Sequence, residues 1–220
     1  MFAAASANLP VRLSENSVVP AQPLVLACGA LATELRSVLA ASSLSDLVEV
    51  RYLPANLHNR PEQIVPALRA LLAECNPDGN RQVAIAYADC GTGGQLDAWL
   101  AQMPGVQRLP GSHCYEFFAG HRVFAELHDD QPGTFYLTDF LAKHFDALVW
   151  QGLGLDRHPE LRDAYFGNYT RLVLLSQTTA QAVVASAADA ADRLGLQFEH
   201  RHVGMQHFDS AVSVILRGAA

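Results

Sequence analysis

The sequence predicts an α/β fold, a three-layer Rossmann-like arrangement in which a mostly parallel sheet carries helices on both faces. Three observations predict it. Short, continuous apolar runs alternate with stretches whose apolar residues recur at helical spacing. The turns between them are short and marked by Gly, Pro, Asn and Asp. Hydrophobic residues make up 50% of the chain and charged ones 17%, which supplies a sizeable core and excludes a disordered chain. Strands that alternate with helices are joined by right-handed crossovers, and these give parallel pairing with both faces covered.

The first strand is expected over residues 24–27, an apolar run ending at Cys28-Gly29. Leu31, Leu35, Val38 and Leu39 follow at helical spacing. A second strand over 48–53 stops at Pro54, and a helix over 61–75 places Ile64, Leu68, Leu71 and Leu72 on one face. Asn76-Pro77-Asp78-Gly79-Asn80 is a turn. A third strand over 83–87 leads into Asp89-Cys90-Gly91-Thr92-Gly93-Gly94 and a helix over 95–102. A short fourth strand over 106–109 ends near Pro110-Gly111-Ser112-His113-Cys114, and a helix crosses 115–118. Beyond it come a strand over 133–137, helices around 140–152 and over 161–169, and a buried strand over 171–175. Ser176-Gln177-Thr178-Thr179 opens an Ala-rich helix that runs through Leu194, and 197–202 and 212–216 are expected as edge strands.

The chain of 220 residues suits a single α/β domain over 23–220 preceded by a loose arm over 1–22. The first ten residues lack a basic segment and a long apolar run, so they do not read as a signal peptide. No apolar stretch approaches the ~18–20 residues that span a bilayer. A cytoplasmic location is the expectation. The net charge is −7 and no Lys/Arg cluster interleaves with aromatics, which argues against a nucleic-acid surface.

The four cysteines, at 28, 75, 90 and 114, are too widely spaced for a small disulfide framework, and in a reducing compartment metal ligation or catalysis is the better functional reading. In a parallel α/β sheet, ligands bind outside the carboxyl ends of the strands. Cys28 follows the first strand, Cys90 the third and Cys114 the fourth, so parallel strands deliver all three to one edge. Each stands at or near the start of a helix, where exposed N–H groups favour thiolate, the metal-binding form. Buried thiol is the bland alternative for any one of them. Cys75 ends a helix before a turn and reads as structural or exposed.

Other candidates lie on the same edge. His113, beside Cys114, and His58 offer imidazole, as a ligand or for proton transfer. Asp89, before Cys90, suits a base or an ordinary helix cap. Gly29 follows Cys28, and Gly91 and Gly93 follow Cys90, where glycine lets backbone approach a cofactor or simply turn tightly. Ser176, after a buried strand, can hold an anion at a helix start or cap the helix. His200, His202 and His207 read as mostly structural, lacking an acidic or thiol partner in sequence.

The ordered set Ala27-Cys28-Gly29, Leu53-Pro54-Ala55-Asn56-Leu57-His58-Asn59-Arg60-Pro61-Glu62, Tyr87-Ala88-Asp89-Cys90-Gly91-Thr92-Gly93, Cys114 with Gly120, and Pro132-Gly133-Thr134-Phe135-Tyr136-Leu137-Thr138 resembles the family called domain of unknown function 1638. The resemblance covers most of residues 24–180. It implies association with corrinoid-dependent methyl-transfer proteins, and it keeps the three cysteines as a set. The family usually shows His-Asp-Cys where this chain has Ser112-His113-Cys114, so the histidine is displaced by one position or replaced.

The function expected is a metal-dependent enzyme, a transferase or lyase. Cys28, Cys90, Cys114 and His113 would hold zinc or a 4Fe–4S cluster with an open position. His58 and Asp89 would move protons, and the substrate would be a small molecule of methyl-transfer or one-carbon metabolism. The alternative is a non-catalytic accessory protein that handles a metal or a corrinoid. Catalysis by one reactive cysteine ranks below both, since none has an evident His–acid partner in sequence.

Overall fold

The computed structural model describes residues 21–218, so the expected arm over 1–22 lies, but for its last two residues, outside the described part. The fold is α/β with entirely parallel pairing, and the strands form two sheets where one was expected. The first contains β1 (Leu24–Cys28), β2 (Glu49–Leu53), β3 (Val83–Ala86) and β4 (Gln107–Arg108), in the order β2-β1-β3-β4. The second contains β5 (Thr134–Leu137), β6 (Arg171–Ser176) and β7 (Gln197–His202), in that order. Every residue of β1, β3 and β6 is buried, as continuous apolar runs demand of strands covered on both faces. The polar β7, with its exposed residues, forms an edge.

The crossovers follow from helical apolar spacing. Around the first sheet lie α1 (Ala32–Ala41), α2 (Ile64–Cys75) and α3 (Gln95–Leu100), with Leu35, Val38, Ile64, Leu68 and Leu96 in one core with β1 and β3. The short α4 (Cys114–Ala119) and α5 (His121–Asp130) carry the chain towards the second sheet. There, α6 (Asp139–Lys143), α7 (Leu161–Phe166) and α8 (Gln181–Leu194) contribute Leu141, Phe166 and Ala187 to a core with β5 and β6.

The expected strand over 212–216 is instead part of a helix, α9 (Gln206–Gly218). A short apolar run fits either element, and here the wider pattern decides: Phe208, Val212 and Ile215 recur at helical spacing and are buried in the first core. Phe208 lies 5.4 Å from Phe117 and 5.0 Å from Phe118, centroid to centroid, so the end of the described chain returns to the sheet where it began.

The segments that follow the strands of one sheet meet those that follow the strands of the other. The 3-10 turn Gly29–Leu31, directly after β1, touches α6, which follows β5. Asn59, after β2, donates from Nδ2 to the carbonyl of Leu148 at 2.7 Å. The carboxyl-end edges of the two sheets therefore face one another, the arrangement that places ligands between them.

The second sheet's edge is fixed by a buried clasp. The Asp139 carboxylate accepts from the backbone N–H of Gln177 (3.0 Å) and Thr178 (3.0 Å) and from the Thr178 hydroxyl (2.5 Å). The Gln177 side chain returns a bond, accepting from the Asp139 N–H at 2.9 Å. This closes the turn after β6 against the start of α6. Among the described residues no helix is long and apolar enough to cross a membrane.

Candidate functional site

Cys28 is the last residue of β1, Cys90 lies four residues beyond β3, and Cys114 is the first residue of α4. Two backbone bonds explain why the last two come together. The N–H of Asp89 donates to the carbonyl of Gly111 at 3.2 Å, and that of Cys90 to the carbonyl of Ser112 at 2.8 Å. The continuation of β3 is thereby clamped to the loop that leads into Cys114. Cys90 pays for this position with φ of +51°, one of two non-glycine residues in the left-handed region among those described. Such backbone costs about 1–3 kcal/mol and is concentrated at functional sites.

The electrostatics tie all three thiols to one neighbourhood. Burial pushes the Cys28 thiol up, with a backbone bond at Ala30 opposing it. Burial and then Cys28 push Cys90 up to about 12. Burial, then Cys90 and Cys28, raise Cys114 well above the ordinary thiol range. The helix starts were expected to favour thiolate. The direction is the opposite, because desolvation of a buried charge outweighs the field of a 3-10 turn and a six-residue helix. Cys75 stands apart at the end of α2, its carbonyl accepting from Arg81 at 3.2 Å.

Tyr87 is a site residue that sequence reasoning did not single out. It is buried, and its hydroxyl lies beside the Cys28 sulfur, close enough to favour thiolate there, yet makes no hydrogen bond of ordinary geometry. Burial and the neighbouring Cys28 raise the Tyr87 pKa far above the usual phenol range. The available signal was a tyrosine closing an otherwise small-residue apolar strand.

Asp89 is engaged in the loop itself. Its carboxylate accepts from the Thr92 hydroxyl (2.5 Å) and from the N–H groups of Gly93 (3.1 Å) and Gly94 (3.0 Å). Partial burial raises its pKa, but those bonds together prevail and hold it below the usual carboxylate range. The two glycine amides that a phosphate would need are therefore already bonded to Asp89. Gly91 (φ +82°) and Gly93 (φ +63°) turn the chain after Cys90, and a Cβ on Gly91 would meet Pro61 at 3.3 Å.

Gly29 serves close packing. A Cβ there would lie 2.8 Å from the carbonyl oxygen of Leu53 and 3.3 Å from the N of Ala55, so the ends of β1 and β2 approach because no side chain intervenes. Gly29→Ala is expected to destabilise the fold by about 1–3 kcal/mol, read as a lower urea midpoint with unchanged slope.

Ser176 belongs to the second sheet and is fully buried. Its hydroxyl pairs with Nε2 of His200 at 2.9 Å and Nδ1 of His202 at 3.2 Å. The structure joins it to those histidines, and they have in it the partner that the sequence did not reveal.

His58 and His113 reach the same place. His58 lies in the 3-10 turn Ala55–Asn59 after β2, and His113 precedes Cys114. Both line a cavity of about 440 Å³ between the sheets. Burial lowers the pKa of His58, and His113 adds to the effect. Burial also lowers that of His113, against the opposing pull of Asp89 and Glu116. Both rings are thus held neutral, suited to accepting a proton at one nitrogen and donating at the other.

The shift at His58 makes stability depend on pH. Below its ordinary value of about 6.5, the unfolded chain takes up a proton that the folded one resists, so stability falls as pH drops from there towards the folded value. Urea midpoints should decline between about pH 7.5 and 5.5, and His58→Gln should flatten the decline.

Among the described residues, no three His, Cys, Asp or Glu side chains are already gathered as a metal-holding group. Comparison with known proteins places the chain by family. The model of a family described as a protein of unknown function, DUF1638, matches residues 52–212, a span that contains Cys90 and Cys114 and begins after Cys28. No curated protein and no solved structure matches the chain.

Proposed function

This chain belongs to the DUF1638 family, and we propose that its Cys28, Cys90 and Cys114 together take up a soft metal, zinc or an iron–sulfur cluster, in a metal-dependent site that acts on a small molecule. The observation that carries this reading is the convergence of three thiols on one sheet edge, where Cys28 opposes the ionisation of Cys90 and both oppose that of Cys114. Holding three sulfurs in a neighbourhood where desolvation, and for Cys90 and Cys114 a neighbouring sulfur, opposes ionisation is unfavourable to thiolate unless a cation joins them. Three sulfur donors are chemically suited to zinc or iron–sulfur ligation.

The Tyr87 hydroxyl supports the fit. It is buried without a hydrogen bond beside Cys28, and a metal-held thiolate would give it an acceptor, as outer-shell donors do at metal sites. The donors are not grouped beforehand among the described residues, so uptake requires the thiols to close in. When bound, such a metal supplies Lewis-acid activation at an open position. The chain's own groups do the rest in this reading. His58 and His113, neutral on the cavity wall, carry protons, and Asp89 holds the loop that presents Cys90.

Anaerobic purification followed by elemental analysis and visible absorption tests the proposal. About one zinc per chain, or iron and sulfide with a charge-transfer spectrum, is expected. Protein that stays metal-free after anaerobic reconstitution with zinc, and separately with iron and sulfide, would overturn it. Metal uptake with transfer to corrinoid methyl-transfer proteins but no turnover would assign the accessory role that the family resemblance suggests.

A further inference from the structure

We propose that the cavity between the sheets binds a planar, uncharged aromatic or heteroaromatic molecule that carries a neutral hydrogen-bonding group such as a carboxamide. The inference goes beyond the metal reading and does not depend on what the sulfurs hold. It rests on where the cavity lies, what its walls are made of, and one buried hydroxyl that makes no hydrogen bond of ordinary geometry.

The walls come from both halves of the molecule. His58 follows β2, His113 and Tyr115 flank Cys114, His128 is on α5, and Phe135 and Tyr136 are on β5. The volume of about 440 Å³ falls within the ~300–1,000 Å³ of small-molecule sites. A ligand there would sit against the segment that carries Cys114.

Ring geometry argues for a flat ligand. Tyr136 lies 5.5 Å from Tyr115 and 5.2 Å from Phe124, and Tyr115 stacks on Phe124 at 6.3 Å with an interplanar angle of 23°. Phe124 in turn stacks on His128 at 6.3 Å and 18°. Such walls offer π faces and edges, which favour an aromatic guest in offset or edge-to-face contact.

Charge argues against an ion. No Asp, Glu, Lys or Arg is among the residues described as lining the cavity. The charged groups nearby, Arg171 beside the Tyr136 hydroxyl among them, are already engaged. Glu116 bonds His121 and Ser112, Asp89 bonds its own loop, and Arg171 bonds Thr134, Glu199 and the Leu127 carbonyl. A charged ligand would enter a partly desolvated space without a counter-charge on its walls.

The Tyr136 hydroxyl supplies the polar anchor. Tyr136 is 6% exposed, and its hydroxyl lies near Thr134 and Arg171 without a hydrogen bond of ordinary geometry. A buried hydroxyl in that state gains from any neutral partner that a ligand brings.

Three probes of similar size test this on the full chain by NMR titration, with and without prior chelator treatment, so that the outcome is independent of the sulfur site. Benzamide is expected to bind saturably and to shift amide signals over residues 112–115 and 134–136. Benzoate and benzylammonium should bind at least about tenfold more weakly. Tyr136→Phe, which keeps the ring, should weaken benzamide about three- to tenfold. Phe124→Trp, which fills the space, should block it. The proposal is overturned if benzamide gives no saturable shift at those residues, if either charged probe equals it, or if a folded Tyr136→Phe protein binds it unchanged.

Discussion

Serine in place of any one of Cys28, Cys90 and Cys114 is expected to lower metal affinity by more than about 100-fold, since loss of even an outer-shell partner costs about 10–100-fold. The three changes should be equivalent, because each removes one sulfur from a common set, and chelator competition reads the effect directly. Cys75→Ser is the internal control: that residue ends α2 away from the shared edge and should leave affinity unchanged. Tyr87→Phe should weaken affinity by about tenfold, the outer-shell effect, without abolishing binding. A trio in which only one serine variant mattered would point instead to a single reactive thiol.

Arg171→Ala is expected to destabilise the protein by about 3 kcal/mol, the largest stability effect of a single substitution foreseen here. Arg171 is 7% exposed and gathers three elements of the second half. Its guanidinium donates to the Thr134 hydroxyl at 2.9 Å, the Leu127 carbonyl at 2.9 Å, and the carboxylates of Glu199 at 3.0 Å and Asp130 at 3.4 Å. Truncation removes four charge-assisted contacts at once: the Leu127 carbonyl keeps only a long bond from the Gln131 N–H, the Thr134 hydroxyl keeps only its donation to the Gln131 carbonyl, and Glu199 keeps only the exposed Arg201, whereas the exposed Asp130 adds little. Arg171→Lys should recover only part of the loss, because an ammonium cannot reproduce a planar fork that spans three elements. Urea unfolding measures both.

Local pattern carried the strands and their ends. The runs at 24–28 and 172–175 are apolar because both faces of β1 and β6 are covered, and that requirement is visible residue by residue. Division into two sheets was not visible, because strand order depends on which crossovers pack together and no linker marks the break. Residues 212–216 misled for a related reason: a five-residue apolar run has no period of its own, and Phe208 was the missing term.

The site divides in the same way. That Cys28, Cys90 and Cys114 share an edge followed from strand ends alone. Their ionisation did not, since desolvation is a property of the packed neighbourhood and here overrides the helix starts. Asp89 looked available because its three hydrogen bonds to the loop exist only once the glycines turn. Tyr87 and Tyr136 escaped notice because a buried hydroxyl is informative only when its missing partner can be seen.

The central claim is that three distant sulfurs serve one ion, and X-ray absorption at the metal edge of the reconstituted full-length protein addresses it most directly. For zinc, three sulfur scatterers at about 2.3 Å, falling to two in each of the Cys28, Cys90 and Cys114 serine variants, is the predicted result; for a cluster, whose irons keep sulfide in their shell, it is loss of bound iron in each variant. A first shell of oxygen and nitrogen alone, or a sulfur count indifferent to those substitutions, would contradict it.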